Sequence, residues 1–331
     1  MAKFLIKTLI FGMFFGCTAT EEPLPQDIVQ EENVFDIAEL GGFPAEGRTG
    51  AFSFTIDNKI YVGTGFGSNS TYFSDFWEYD LNSKIWTEKS PFPLGPYLAG
   101  VPFVYQGKGY VLAGGVLQCE LDSPCEHIYY TALHTYDPIS NTWQKAADLP
   151  NFKGMNVGSL EIVNDKAILF WDMKTFEIDL INYQVTEKSN PPASLTYSAD
   201  FKIGNKVYFT CMAVSGKGSK STFSYDLTSD QWETLPDFPG IKRYDAIGFS
   251  LNGYGYFLGG KESDFSGEDM QFKEIWQFNP SDNSWKKVGD YPGVAYTGQV
   301  LETVGNEVYV GFGDTRSYIT FEKDWWKLVF N

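Results

Sequence analysis

An apolar or aromatic residue followed seven positions later by proline recurs along the whole chain. The complete copies are Trp86/Pro93, Trp143/Pro150, Trp232/Pro239 and Trp285/Pro292. Val185/Pro192 and Ile37/Pro44 fill the same pattern with smaller apolar residues. Six copies spaced 42 to 57 residues apart are a repeat, and a period near 50 residues is that of propeller blades. One unit cannot bury its tryptophan alone, whereas a closed set of stacked units can.

Other marks recur in register. Seven residues before each tryptophan stands an aromatic followed by Asp or Asn: Tyr79-Asp80, Tyr136-Asp137, Tyr225-Asp226 and Phe278-Asn279. The turns LNSK, PISN, LTSD and PSDN follow, built from residues that hairpin connections favour. Upstream lie strands ending in glycine, YVGTG, YVLAGG, YFLGG and YVGFG. Each unit therefore reads as four short strands: a (50–56 in the first unit), b (from Lys59), c (75–80) and d (from Ile85). Runs such as AILFW and VYFT are apolar on both faces, as expected of sheets covered on both sides.

This register of double glycine, Tyr-Asp and spaced Trp resembles the kelch motif over residues 34–330. The resemblance implies an all-β chain, a six-bladed kelch-type β-propeller, occupying residues 34–331. The third unit is degenerate, with Phe170-Trp171 in place of glycines and Val185 in the Trp slot; the fourth shows Thr210-Cys211 there. The chain stops just after a strand c, at KDWWKLVFN, while residues 34–40 read as a strand d with no a, b or c before it. Pairing the two completes the sixth blade and leaves no open edge.

The first residues, MAKFLIKTLIFGMFFGC, carry Lys3 and Lys7 ahead of an apolar run too short to span a bilayer. Residues 1–16 read as an export signal. Phe14-Phe15-Gly16-Cys17 resembles a bacterial lipobox, which implies cleavage before Cys17 and its acylation; a plain secretory signal is the alternative. Residues 17–33 are an acidic, proline-containing tether. Acidic residues after the lipidated cysteine resemble the surface-export signals of Bacteroidota lipoproteins, which implies an outer-membrane address, lipid-anchored and facing the cell surface or the periplasm.

The formal net charge of −17 argues against nucleic acid and against docking on anionic lipid, leaving the lipid anchor as the membrane contact. No metal or other cofactor is expected: the two histidines, His127 and His134, fall in one blade, and a metal site needs more converging ligands. Cys119 and Cys125 lie six apart in the longest b–c loop, where export permits a disulfide. Cys211, in an apolar strand, reads as a buried thiol.

Two sets of candidate site residues emerge. One residue per blade precedes strand a at the channel mouth: Arg48, Tyr97, Met155, Leu195, Arg243 and Tyr296, with Tyr197 and Tyr244 beside them. Arginine and tyrosine there suit an acidic sugar or a carboxylate-bearing peptide. The competing reading is that kelch units use Arg at this position to bond blade to blade. Glu161 and Glu302 take the strand-a position that holds Phe54, Phe103, Phe201 and Phe249 elsewhere. They sit in opposite blades, so a carboxylate pair across the axis, capable of acid–base work, competes with two independent glutamates.

The histidine placement excludes the copper chemistry of galactose oxidase, a relative by resemblance. The reading is a monomeric, surface-anchored, non-enzymatic module binding a glycan or protein partner through its loop face. The alternative is a sugar mutarotase resembling the six-bladed N-acetylneuraminate epimerases, whose long insertions are absent here.

Overall fold

The computed structural model describes residues 34–95, 100–112, 114–118, 126–149, 152, 158–263, 269–294, 297–315 and 320–331. The signal, Cys17, the tether and the Cys119–Cys125 pair lie outside the described residues. The chain divides into two units, Met1–Glu31 and Glu32–Asn331, and the second carries every described strand.

The spacing of the repeat is the register of a hairpin. Tyr79 pairs across strands with Trp86, Tyr136 with Trp143, Tyr225 with Trp232 and Phe278 with Trp285. Their ring centroids lie 4.8 to 5.0 Å apart. The Asp after each of the three tyrosines makes the turn. Asp80 Oδ1 accepts the backbone N–H groups of Asn82 and Ser83, Asp137 those of Ile139 and Ser140, and Asp226 those of Thr228 and Ser229. This is the local side-chain-to-backbone bonding that makes Asp a turn residue.

Six four-stranded units follow, each ordered a-b-c-d. In blade 1 these are Phe52–Ile56, Lys59–Gly63, Phe76–Asp80 and Ile85–Lys89. Strand a of the later blades is Val101–Tyr105, Ser159–Val163, Ala199–Ile203, Tyr244–Leu251 and Val300–Val304. Blade 5 gains a fifth strand, Asp269–Gln271, on the long strand Tyr254–Ser263. Blade 6 takes its fourth strand from the other end of the chain. Phe35–Glu39 runs antiparallel to Trp325–Phe330, with Phe35 opposite Phe330 and Glu39 opposite Trp326.

The seams between blades explain the repeated residue types. Each tryptophan leans on the preceding blade: the Trp143 indole N–H donates to the Ser90 carbonyl at 3.1 Å and that of Trp232 to Ser189 at 2.8 Å. The residue just before the repeat's proline plugs the same seam. Phe43, Phe92, Leu149, Phe238 and Tyr291 are all buried. Strand-a phenylalanines fill the next seam. A Cβ on Gly109 would lie 2.2 Å from the Phe54 ring, and one on Gly255 2.0 Å from Phe201, so glycine in the facing strand b makes room for the ring. In blade 3, Phe170 and Trp171 are themselves buried, so packed rings replace the glycines of the other blades.

Candidate ligand-binding site

The innermost strands begin with a shared backbone device. Four residues before the strand-a position of Phe54, Phe201, Phe249 and Glu302 stand Gly50, Tyr197, Asp245 and Gly298. All four are left-handed, with φ of 62°, 55°, 62° and 63°. The Asp245 N–H donates to the Tyr197 carbonyl at 2.8 Å and the Gly50 N–H to Gly298 at 3.2 Å, tying each blade to the one before it. Blades 1 and 6 meet this geometry with glycine. Blades 4 and 5 meet it with a tyrosine and an aspartate.

A cavity of about 240 Å3 lies at this end of the axis. Every blade contributes to its wall: Gly50, Gly100, Gly158, Asp200, Asp245 and Gly298 in blade order. Among the described lining residues the ionisable ones are Tyr197, Asp200 and Asp245, all from blades 4 and 5. The wall is therefore one-sided in its ionisable groups: blades 4 and 5 supply them, while the other four blades line it with glycines and with Ala51, Ser159, Phe170 and Gln299.

Both carboxyls are hard to ionise. Burial, reinforced by the neighbouring Glu161, pushes Asp200 up to about 7. Burial also raises Asp245, to about 6; Lys261 opposes the rise and Asp314 adds to it. The Lys261 Nζ is 3.8 Å from Asp245 Oδ2. Desolvation of the charged form dominates in each case; the like charge of Glu161 comes next for Asp200, whereas for Asp245 the opposing Lys261 outweighs Asp314.

The sequence expectations fare unevenly here. Glu161 and Glu302 do not form a pair across the axis. Side chains of strand a point into the seams, so each glutamate meets its own next blade. Glu302 accepts the Ser53 hydroxyl at 2.6 Å and the Thr55 hydroxyl at 2.7 Å, both from blade 1. Glu161 faces Lys202 Nζ of blade 4 at 3.2 Å. Burial raises both carboxyls.

Arg48 and Arg243 need the same correction, since both are fully buried and neither lines the mouth. Arg48 holds Asp75 at 2.5 and 2.9 Å and donates to the Thr64 carbonyl at 3.0 Å. Arg243 holds Glu274 at 2.6 Å and lies 3.8 Å from the Phe272 ring centroid. The same acids accept the indole N–H of Trp77 and Trp276. These arginines clamp strand c to the loop before strand a of the same blade, so the ion pairs hold a blade together rather than bonding one blade to the next.

Tyr197 does line the cavity, half-exposed, and its ring meets Tyr244 edge-on at 6.3 Å. The Tyr244 hydroxyl is hydrogen-bonded to Ser263 at 2.8 Å. Leu195 is buried in the cavity wall. Tyr97, Met155 and Tyr296 lie outside the described residues. Cys211 is a buried free thiol, pushed up to about 12 by burial. His134 is buried in blade 2 against Phe92. Among the described residues, no three His, Cys, Asp or Glu side chains are placed to hold a metal ion.

The two cavity aspartates escaped the sequence reading, although each left a signal. Asp200 is the one acid in the strand a sequence ADFKI, and Asp245 stands in register with Gly50 and Gly298.

Known proteins agree with this architecture. The kelch motif profile matches residues 47–93. A kelch-like protein, terF, of Aspergillus terreus is 23% identical over 95% of this chain. N-acetylneuraminate epimerases of Haemophilus influenzae and Salmonella typhi are 29% and 23% identical over 35% and 70% of it. The chain spans 61%, 30% and 56% of the lengths of these three relatives. A solved structure described as that of YjhT superposes with a TM-score of 0.71 at 17% identity, covering 86% of this chain and 96% of the other. The chain is a kelch-type β-propeller of six blades.

Proposed function

We propose that the chain is a non-enzymatic binding module that takes a glycan in the axial cavity of its loop face. In this reading it is a monomer held at the outer surface of a bacterial outer membrane by acylated Cys17. The observation that carries the binding reading is the one-sided cavity wall. Asp200 and Asp245 offer acceptors for sugar hydroxyls, Tyr197 offers a flat face, and the glycine-rich side leaves room for a ring. Acidic ligands are disfavoured, because a carboxylate would join two carboxyls while Arg48 and Arg243 are engaged elsewhere. A glycan and peptide array probed with the full-length chain tests this. Neutral sugars are the expected hits; signal from peptides alone, with no glycan bound, contradicts it.

A second reading is sugar mutarotation. It is favoured by Asp200, whose carboxyl near 7 is matched to proton transfer at neutral pH, and by the relatives named N-acetylneuraminate epimerase. Its test is the rate of anomer interconversion of free sugars, sialic acid included. A rate no faster than buffer removes it.

A further inference from the structure

Tyr197 occupies a backbone conformation that its side chain opposes. Left-handed φ is nearly free for glycine and tolerable for Asp or Asn, but it is a genuine outlier for a bulky residue. The equivalent positions of blades 1 and 6 show what the fold itself asks for here, Gly50 and Gly298. Nothing in the hydrogen-bonded girdle requires a ring, because the bond from the Asp245 N–H uses the Tyr197 carbonyl only.

A bulky left-handed residue is sometimes justified by packing. Tyr183 is the control within this chain. It is left-handed too, at φ 60°, but its ring packs on the core that holds Leu169, Ile178 and Leu180. The Tyr197 ring has no such cover. It stays 41% exposed at the rim of the cavity, touching Tyr244 edge-on. Strain without compensating burial, beside a cavity, marks a residue kept for what it touches.

Resting on the binding reading above, we infer that Tyr197 is the stacking platform of the site and fixes its ligand class. That ligand is a neutral pyranose whose apolar face lies on the Tyr197 ring and whose hydroxyls donate to Asp245 and Asp200. The three residues come from adjacent blades 4 and 5, so one sugar ring meets all of them from one side while the glycine wall passes its other face. A charged carboxylate on the sugar is rejected by the same two aspartates.

The test uses full-length chains: wild type, Tyr197→Gly, Tyr197→Phe and Tyr183→Gly. The probes are immobilised neutral oligosaccharides of glucose, galactose and mannose, with sialyllactose as the anionic control. Tyr197→Gly is expected to melt no lower than wild type, because relief of backbone strain offsets one lost ring contact. Its binding of the neutral probe falls about tenfold or more, the scale of one lost stacking contact. Tyr197→Phe keeps the binding, and Tyr183→Gly melts lower while binding normally. The inference is overturned if Tyr197→Gly binds the neutral probe like wild type, or melts as low as Tyr183→Gly. It is also overturned, with the binding reading intact, if sialyllactose is preferred over the neutral probes. Absence of binding to every probe removes the binding reading itself, and this inference with it.

Discussion

The Arg48 guanidinium grips Asp75 through two parallel hydrogen bonds, Nη1 to Oδ1 at 2.5 Å and Nη2 to Oδ2 at 2.9 Å. The Phe73 and Phe43 ring centroids lie 4.3 and 4.8 Å from its Cζ, and the side chain is cut off from solvent. A fork-to-fork pair with ring cover is a structural clamp. Asp75→Ala leaves a buried, unpaired cation, and the expected loss is about 3–5 kcal/mol in urea denaturation. Arg48→Lys does not rescue stability, since one ammonium cannot make the parallel bonds. A destabilisation below about 1 kcal/mol would place this pair among ordinary surface ion pairs.

The strand Phe35–Glu39 is the fourth strand of blade 6, and Phe35 packs 5.0 Å from Phe330. Deleting residues 34–40 exposes the Trp325–Phe330 edge and empties part of the core that holds Tyr256, Val308 and Leu328. The truncated chain should melt far lower and self-associate through the open edge. An unchanged melting temperature contradicts this.

The Gly255 site tests the seam packing. Gly255→Ala puts a Cβ into the Phe201 ring, and overpacking of this kind costs about 1–3 kcal/mol. Adding Phe201→Leu should recover part of the loss, because the branched side chain is shorter than the ring. Additive losses in the double variant would mean that the two positions are not in contact.

Asp200 sets a pH dependence whose sign is fixed by its raised pKa. The folded state keeps the proton up to about 7, whereas the unfolded carboxyl loses it near the ordinary aspartate value of 3.8. Between those values the folded state binds more protons, so this group's contribution to stability falls as pH rises. Asp200→Asn abolishes that contribution. Relative to wild type, the variant should therefore gain stability from pH 5 to pH 7.5, read from urea midpoints. A constant difference across that range means that the carboxyl is not shifted in the folded protein.

How much of this was legible in the sequence depends on how local the cause is. The Trp-to-Pro and Tyr-to-Trp spacings are hairpin register, and a register repeats in any sequence that repeats the hairpin. The blade count and the degenerate third blade were therefore readable. For Glu161 and Glu302 the reading as two independent glutamates holds and the pair across the axis does not, because position along strand a says nothing about which way the side chain turns, and in stacked blades it turns into a seam. The sequence left the role of Arg48 open between ligand and structure because Asp75, its partner, is 27 residues away. The pattern shared by Arg48, Asp75 and Trp77 with Arg243, Glu274 and Trp276 was nevertheless there to be seen. Asp200 and Asp245 needed the register of all six blades before they stood out from it.

The axial cavity is the centre of the account, so blocking it is the most direct measurement. Ser198 lies in the wall of the cavity beside Tyr197. Ser198→Trp fills that space with a side chain while leaving the seams and the loop tips untouched. The account predicts a full-length variant that melts like wild type and no longer binds the neutral oligosaccharides that wild type retains on an array. Undiminished binding by a folded Ser198→Trp chain would contradict it, placing the ligand on the outer loops instead of the axis.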